Sequence, residues 1–263
     1  MRGLSKSRKI LLVLLACAAV LAVLLFLILG NRSKPRKENG ITQLSFSIGD
    51  RLGGYSVTDH EGNEVDIADI SGNRTLTVFG MAGCRDCIAD FPSYELIFSL
   101  YDSEGFSVVF IWDDAIPSSE LEEMGIPSEA SYSAKGRYKF TDWVPSYYLT
   151  DQDDIIVSQT VEVEEAAKLL GDYPVSAEGF ERAFQGMKVL VGIDRCKSCK
   201  DAYEKLLEQG EPFVYMLEGA ETVDGEYQTA DPNRILAEAF HIENFPVCLY
   251  LDGNGEIVAD PDY

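Results

Sequence analysis

Residues 75–92 read TLTVFGMAGCRDCIADFP. The run opens with an apolar strand candidate, Thr75 to Phe79, and passes at once into a Cys-x-x-Cys pair, Cys84 and Cys87. After the pair, Ile88, Phe91, Leu96, Ile97 and Leu100 recur at helical spacing, and residues 106–112 form the next strand candidate. Strand, helix and strand in that succession predict a right-handed parallel crossover, hence an α/β domain. Cysteines at i and i+3 at the start of a helix lie on one face, within disulfide reach. The free N–H groups and positive dipole end there favour a thiolate on the first cysteine. Cys84 is therefore expected to be the exposed nucleophile that forms a mixed disulfide, and Cys87 the thiol that resolves it. Arg85 works for the thiolate and Asp86 against it, so the redox poise stays open.

Outward from this run, residues 55–58 and 64–67 alternate around Glu61-Gly62-Asn63 as a hairpin. Ser118 or Ser119 is a cap candidate for a helix through Glu123. Val144-Pro145 precedes a strand candidate at 147–150, which turns through residues 151–154 into a partner at 155–157, and a helix over 161–170 follows. Residues 171–174 mark a boundary. Beyond them the plan recurs in smaller form: a strand at 187–193, the pair Cys196 and Cys199, a helix over 200–209 and a strand at 212–217. Asp231 is a cap candidate for a helix over 232–240. Phe245-Pro246 then opens a strand at 247–251, paired with 256–258 across Asp252-Gly253-Asn254-Gly255. Lys197 and Lys200 beside the second pair favour thiolate.

The chain of 263 residues divides chemically near position 40. Residues 10–29 form an uncharged apolar run long enough to span a bilayer as a helix. Residues 1–9 are then a cytoplasmic N-terminus and 30–46 a polar stalk. Leu14-Leu15-Ala16-Cys17 also fits a lipoprotein cleavage box, although the apolar run continues past Cys17. From position 41 onward there are 14 basic and 43 acidic residues, a net charge of −29. Such a surface argues against nucleic-acid partners and leaves solubility beside the membrane as its plain reading. The length and the hydrophobic fraction of 46% fit two packed domains, at 47–172 and 176–263.

Several segments follow in a recognisable order: Ile48-Gly49-Asp50, Tyr55 to Val65, Ile70 to Asn73, and Cys84 to Pro92. Together they resemble the membrane-anchored TlpA-like thiol-disulfide oxidoreductases of bacteria, a branch of the thioredoxin superfamily. The resemblance covers about residues 47 to 170 and is looser over 176–263. It implies an α/β fold of two thioredoxin-like domains, each a central mixed sheet flanked by helices, after an N-terminal transmembrane helix. It implies a single-pass protein of the bacterial cell membrane with extracytoplasmic catalytic domains, acting without cofactor on protein thiols and disulfides. A membrane electron-transfer protein is a further candidate partner. Pro92 fills the family's helix proline. Val144-Pro145 and Phe245-Pro246 match its cis-proline, so these four residues are the candidate substrate groove. The chain departs from the pattern at Gly83, where a tryptophan is usual, and at Val78, where thioredoxin itself has a buried acid. Glu204 stands where the second pair should have its proline. Met81 and Thr77 stand where a peroxiredoxin needs threonine and proline, which argues against peroxide chemistry.

Cys84, Cys87, Cys196 and Cys199 are thus the candidate catalytic residues, with electron relay between the pairs as one reading. A non-catalytic binding module braced by structural disulfides is the rival. One zinc held by all four cysteines is disfavoured by the long separation of the pairs. Cys248, two residues after Pro246, reads as a small core residue. His60 and His241 have no metal partner in view. Trp112 and Trp143 read as packing residues, Trp143 with the option of lining the groove.

Overall fold

A computed structural model describes residues 36–38, 41–70, 74–140, 143–173 and 175–263. The proposed anchor at 10–29, with Cys17, lies outside them. Among the described residues no helix is long and apolar enough to cross a membrane.

The first half supplies ten strands: β1 (Arg36–Glu38), β2 (Ile41–Leu44), β3 (Ser56–Thr58), β4 (Glu64–Asp66), β5 (Thr75–Gly80), β6 (Ser107–Trp112), β7 (Ser131–Ser133), β8 (Tyr138–Phe140), β9 (Ser146–Thr150) and β10 (Ile156–Thr160). Seven of them form a mixed sheet in the order β10-β9-β5-β6-β7-β3-β4. Within it β5, β6 and β7 are parallel, while β9 and β10 run antiparallel. Strand β5 is buried at every residue, as the continuous apolar run requires of a central strand.

The second half adds β11 (Lys188–Ile193), β12 (Phe213–Glu218), β13 (Gln228–Asp231), β14 (Val247–Leu251) and β15 (Ile257–Ala259). Their order is β13-β12-β11-β14-β15, with β11 to β13 parallel and β14 and β15 antiparallel. Strand for strand this repeats β7-β6-β5-β9-β10. The two Cys-x-x-Cys pairs follow the equivalent strands β5 and β11. The expected mixed sheets flanked by helices are therefore present in both halves.

Several boundaries differ from the sequence reading. The stalk expected over 30–46 is partly built into the first domain, because Leu44 and Phe46 are buried with Leu52, Val57 and Phe79. Ile67 starts a short helix, Ile67–Ile70, instead of ending the hairpin strand. The helix Ala177–Phe184, capped by Ser176 Oγ on the Gly179 N–H at 2.9 Å, was not expected. Helix Ile235–Ala239 starts later than expected, with Arg234 in left-handed backbone angles at its N-cap in place of Asp231; Asp231, three residues earlier, accepts from the first-turn Leu236 N–H at 3.0 Å. Helix Ser118–Glu123 follows Pro117 and has no side-chain cap, so neither serine caps it.

The halves share a core. Tyr94, Ile97 and Leu100 on helix Phe91–Tyr101 belong to the same buried cluster as Phe180, Phe184, Leu236 and Val189 of the second half. Arg182 donates to the Ser99 carbonyl, by Nε at 3.2 Å and Nη2 at 2.9 Å, and to the Asp102 carbonyl. It thereby satisfies the free carbonyls at the end of helix Phe91–Tyr101, which intrahelical bonds leave open. Asn233 Nδ2 donates to Ser93 Oγ at 2.6 Å. The backbones approach so closely that a Cβ at Gly171 would lie 2.7 Å from the Glu238 carbonyl oxygen, and one at Gly179 would strike that of Leu100.

Two outcomes follow. Gly179→Ala should lower stability by about 1–3 kcal/mol, the cost of overpacking against backbone. An unchanged urea midpoint would sink the close docking. Glu218, 4% exposed beside the buried Asp231, has its carboxyl pushed up to about 9 by burial first and by that neighbour second. A raised folded-state pKa contributes stability below the unfolded value, near 4.5, that is lost as pH rises through about 9. Glu218→Gln should therefore flatten the fall of stability across that window, as chemical denaturation at stepped pH would show.

Candidate active site

Strand β5 ends at Gly80, where a side chain would run into the ring of Trp112 on the neighbouring strand. Trp112 is held in turn by its Nε1–H on Ser131 Oγ at 3.1 Å. The turn between β5 and Cys84 is fixed by the Ala82 N–H on Asp113 Oδ1 at 2.9 Å and by the Cys84 N–H on the Met81 carbonyl at 3.0 Å. Gly83 has φ +71, a conformation that a residue with a side chain would adopt only with strain.

Cys84 is the N-cap of helix Arg85–Ala89, and its sulfur accepts from the Cys87 N–H at 3.1 Å. The Cα atoms of the two cysteines are 5.3 Å apart and the pair is disulfide-bonded. The Cys84 sulfur lies 3.8 Å from the carbonyl oxygen of Val144, and the Val144–Pro145 peptide is cis, as the resemblance implies. One expectation needs correction. Cys84 is not freely exposed: it is 7% accessible and belongs to the main core cluster, as does Cys87 at 1%. Exposed close in sequence to the site are Arg85 and Asp86, between the two cysteines, and three apolar residues, Met81 at 44%, Ile88 at 46% and Trp143 at 73%. Trp143 is thus no packing residue, whereas Trp112, at 3%, is.

Beside the pair lies a hydrogen-bond chain that the sequence reading missed. Tyr147 OH donates to Asp90 Oδ2 at 2.6 Å, which leaves Tyr94 OH to donate to the Tyr147 oxygen at 3.1 Å. Tyr147 sits directly across the ladder from Val78, the position lacking an acid. Asp90 ends helix Arg85–Ala89 and begins helix Phe91–Tyr101, three residues after Cys87 and so on its helical face. Burial raises the Asp90 carboxyl above its usual range, opposed by the Tyr147 hydrogen bond. The signal available in sequence was an acid one turn after the second cysteine, followed by proline.

The second pair repeats the local geometry. Cys196 caps helix Lys197–Gln209, its sulfur accepts from the Cys199 N–H at 3.1 Å, and the Cα atoms are 5.2 Å apart in a disulfide. Cys196 is half-buried, with Ser198 Oγ 3.2 Å from its sulfur, while Cys199 is fully buried. The Phe245–Pro246 peptide is cis. With Glu204 in the proline's place, 3.7 Å from Lys200, the helix runs unbroken, whereas the first breaks at Asp90 ahead of Pro92. Cys248 is a free thiol buried in the same cluster as Cys199, where burial pushes it up to about 11. That chemistry suits a core residue and not a nucleophile. His60 and His241 lie at a turn and just past a helix end, and the described residues contain no group of three metal-ligating side chains.

The structure does not bring the two pairs onto one face. Helix Phe91–Tyr101, which continues from the first pair, packs toward the second half on the side of Val189, Val191 and Met216. Helix Lys197–Gln209 covers the other face of that sheet, on Leu190, Phe213 and Tyr215.

No protein-family model matches the chain, and no curated protein does. Solved structures do. A thiol:disulfide interchange protein from Bacteroides sp. is 18% identical, with 49% of this chain and 91% of that one covered at a TM-score of 0.36. The thioredoxin domain of a thiol-disulfide oxidoreductase from Bacteroides vulgatus is 19% identical, with 44% and 89% covered at a TM-score of 0.33.

Proposed function

We propose that the chain is a membrane-anchored, extracytoplasmic thiol-disulfide oxidoreductase that exchanges disulfides with protein substrates through Cys84 and Cys87. The observation that carries this reading is the Cys84 sulfur, at a helix N-terminus and 3.8 Å from the Val144 carbonyl that precedes cis-Pro145. The helix end stabilises negative charge on that sulfur. The Val144–Pro145 segment offers backbone to an extended substrate, and the apolar exposure at Met81, Ile88 and Trp143 suits a protein surface over a small polar solute.

In the disulfide form seen here, a substrate thiolate attacks Cys84 Sγ. A mixed disulfide forms, the Cys84–Cys87 bond breaks, and Cys87 leaves as a thiolate that takes up a proton. A second substrate thiolate then attacks the substrate sulfur, which closes the substrate disulfide and releases the Cys84 thiolate. In the reducing direction the same steps run backward, and Cys87 must lose its proton before it resolves the mixed disulfide. Asp90, with its carboxyl raised by burial and anchored by Tyr147, stands one helical turn after Cys87 and is the group we assign to exchange that proton. The anchor rests on the apolar run at 10–29, and a membrane electron-transfer protein completes the cycle. Relay between the two pairs requires a partner or a rearrangement, because their helices lie on opposite faces of the second sheet.

Cys87→Ser should trap a mixed disulfide with substrate on Cys84 that reducing agent releases, read as a mass shift; failure to trap any protein would count against exchange. Insulin reduction should persist in wild type and vanish in Cys84→Ser. Asp90→Asn should slow the resolving step roughly 10- to 100-fold at neutral pH and less at high pH, where Cys87 ionises unaided. A pH-independent loss would assign Asp90 a structural role only.

A further inference from the structure

Beside Cys196 opens a groove of about 1050 Å³ that the protein-exchange reading does not use. It lies between the start of helix Lys197–Gln209 and residues 219–224, over Tyr215 and Leu217 of β12, on the side of Cys196 away from β14 and its cis-proline. Its volume is at the upper end of small-molecule sites. Cys196, half-buried and disulfide-bonded to Cys199, is one of its lining residues.

The lining is chemically unlike that of the first pair. There the apolar Met81, Ile88 and Trp143 are exposed beside one cation and one acid, Arg85 and Asp86; here three cations, Arg195, Lys197 and Lys200, line the groove. These three are drawn from only seven basic residues between positions 176 and 263, in a chain of net charge −22. Arg195 is offset by Asp194 at 3.4 Å and Lys200 by Glu204 at 3.7 Å, both pairs largely exposed, while Lys197 forms no ion pair within 4.0 Å among the described residues. Exposed ion pairs of this kind are weak, so the cations stay open to a better ligand. Glu221 and Asp224 line the loop side. The floor is aromatic: Tyr203 and Tyr215 stack with centroids 5.1 Å apart, and the Tyr203 hydroxyl is held by the Glu226 carbonyl at 2.7 Å.

We propose that this groove binds a low-molecular-weight thiol built on amino acids, whose carboxylates meet Lys197 and Lys200 and whose ammonium meets Glu221 or Asp224, and that the Cys196–Cys199 disulfide exchanges with it. The ligand's thiolate attacks Cys196 Sγ, forms a mixed disulfide and expels Cys199 as a thiolate, which takes up a proton. A second ligand thiolate attacks the ligand sulfur of that mixed disulfide. The products are one ligand disulfide and the Cys196/Cys199 dithiol, two electrons having passed from two thiols to the protein. The reverse sequence reduces the ligand disulfide. The two pairs then serve different clients, in keeping with their placement on separate faces.

The test uses the full chain carrying Cys84→Ser and Cys87→Ser, so that only the second pair reports and the outcome is independent of protein exchange at the first. Reduction of the Cys196–Cys199 disulfide is timed with reduced glutathione (two carboxylates and one ammonium, a net anion), mercaptoethanol (neutral) and cysteamine (cationic), each corrected for its thiol pKa. The expected order is glutathione, mercaptoethanol, cysteamine, with about a tenfold span at low salt that collapses at high salt. Lys197→Glu with Lys200→Glu withdraws support from the cysteine thiolate for every thiol, but should slow glutathione further than mercaptoethanol, so that the ratio of their corrected rates falls to one or below. Equal corrected rates for the three thiols, or a variant that slows all three alike, would overturn the proposal. So would a glutathione rate that does not saturate while an acidic cysteine peptide's does, which would assign the groove to a protein.

Discussion

Both halves of the molecule are organised by one constraint: a helix must begin on a sulfur. Cys84 and Cys196 each stand at the N-cap in extended conformation, and each sulfur takes the backbone N–H of the residue three positions on, at 3.1 Å in both cases. That N–H is one of four that a helix start leaves without partners, so the sulfur does for the fold what a serine or aspartate does at an ordinary cap. The same bond places the second cysteine within disulfide distance and aims the helix dipole at the first. Folding and the proposed redox chemistry therefore rest on the same atoms.

The two sites diverge in what surrounds that shared unit. In the first, a proline breaks the helix one turn on, and the break point, Asp90, becomes the acceptor of a buried tyrosine hydroxyl. In the second, Glu204 lets the helix run through, and its polar face meets a charged groove. Cys84 is nearly covered, with exposed apolar side chains close by in Met81, Ile88 and Trp143; Cys196 is half-buried beside a groove lined by charges of both signs.

Much of this was legible in the sequence, because it rests on local patterns. The strand before each pair, the helix after it and the Asp252–Gly255 hairpin depend on residues close together in the chain, while both cis-prolines were legible only through the resemblance. What was missed depends on residues that meet only after folding. Tyr147 reads as one more aromatic in a buried strand until β9 pairs with β5 and sets it opposite Val78. Helix Ala177–Phe184 is only eight residues long, and its reason to form is the neighbouring half on which Phe180 and Phe184 pack. Strand β13, Gln228–Asp231, has poor strand formers and is held by parallel pairing to β12. The exposure of Cys84 was misjudged for a related reason: motif position says which cysteine leads the helix, while the Val144 segment, far along the chain, decides how much of it is covered.

The Arg182 cap has a consequence for how the protein is made. The last carbonyls of helix Phe91–Tyr101 are satisfied by a guanidinium from the other half of the chain. A nascent chain that has delivered only its first domain carries Cys84 and Cys87 on a helix whose far end is still open, with Ile97 and Leu100 lacking their full cover. The far end of that helix is therefore completed only when the second half has emerged and docked.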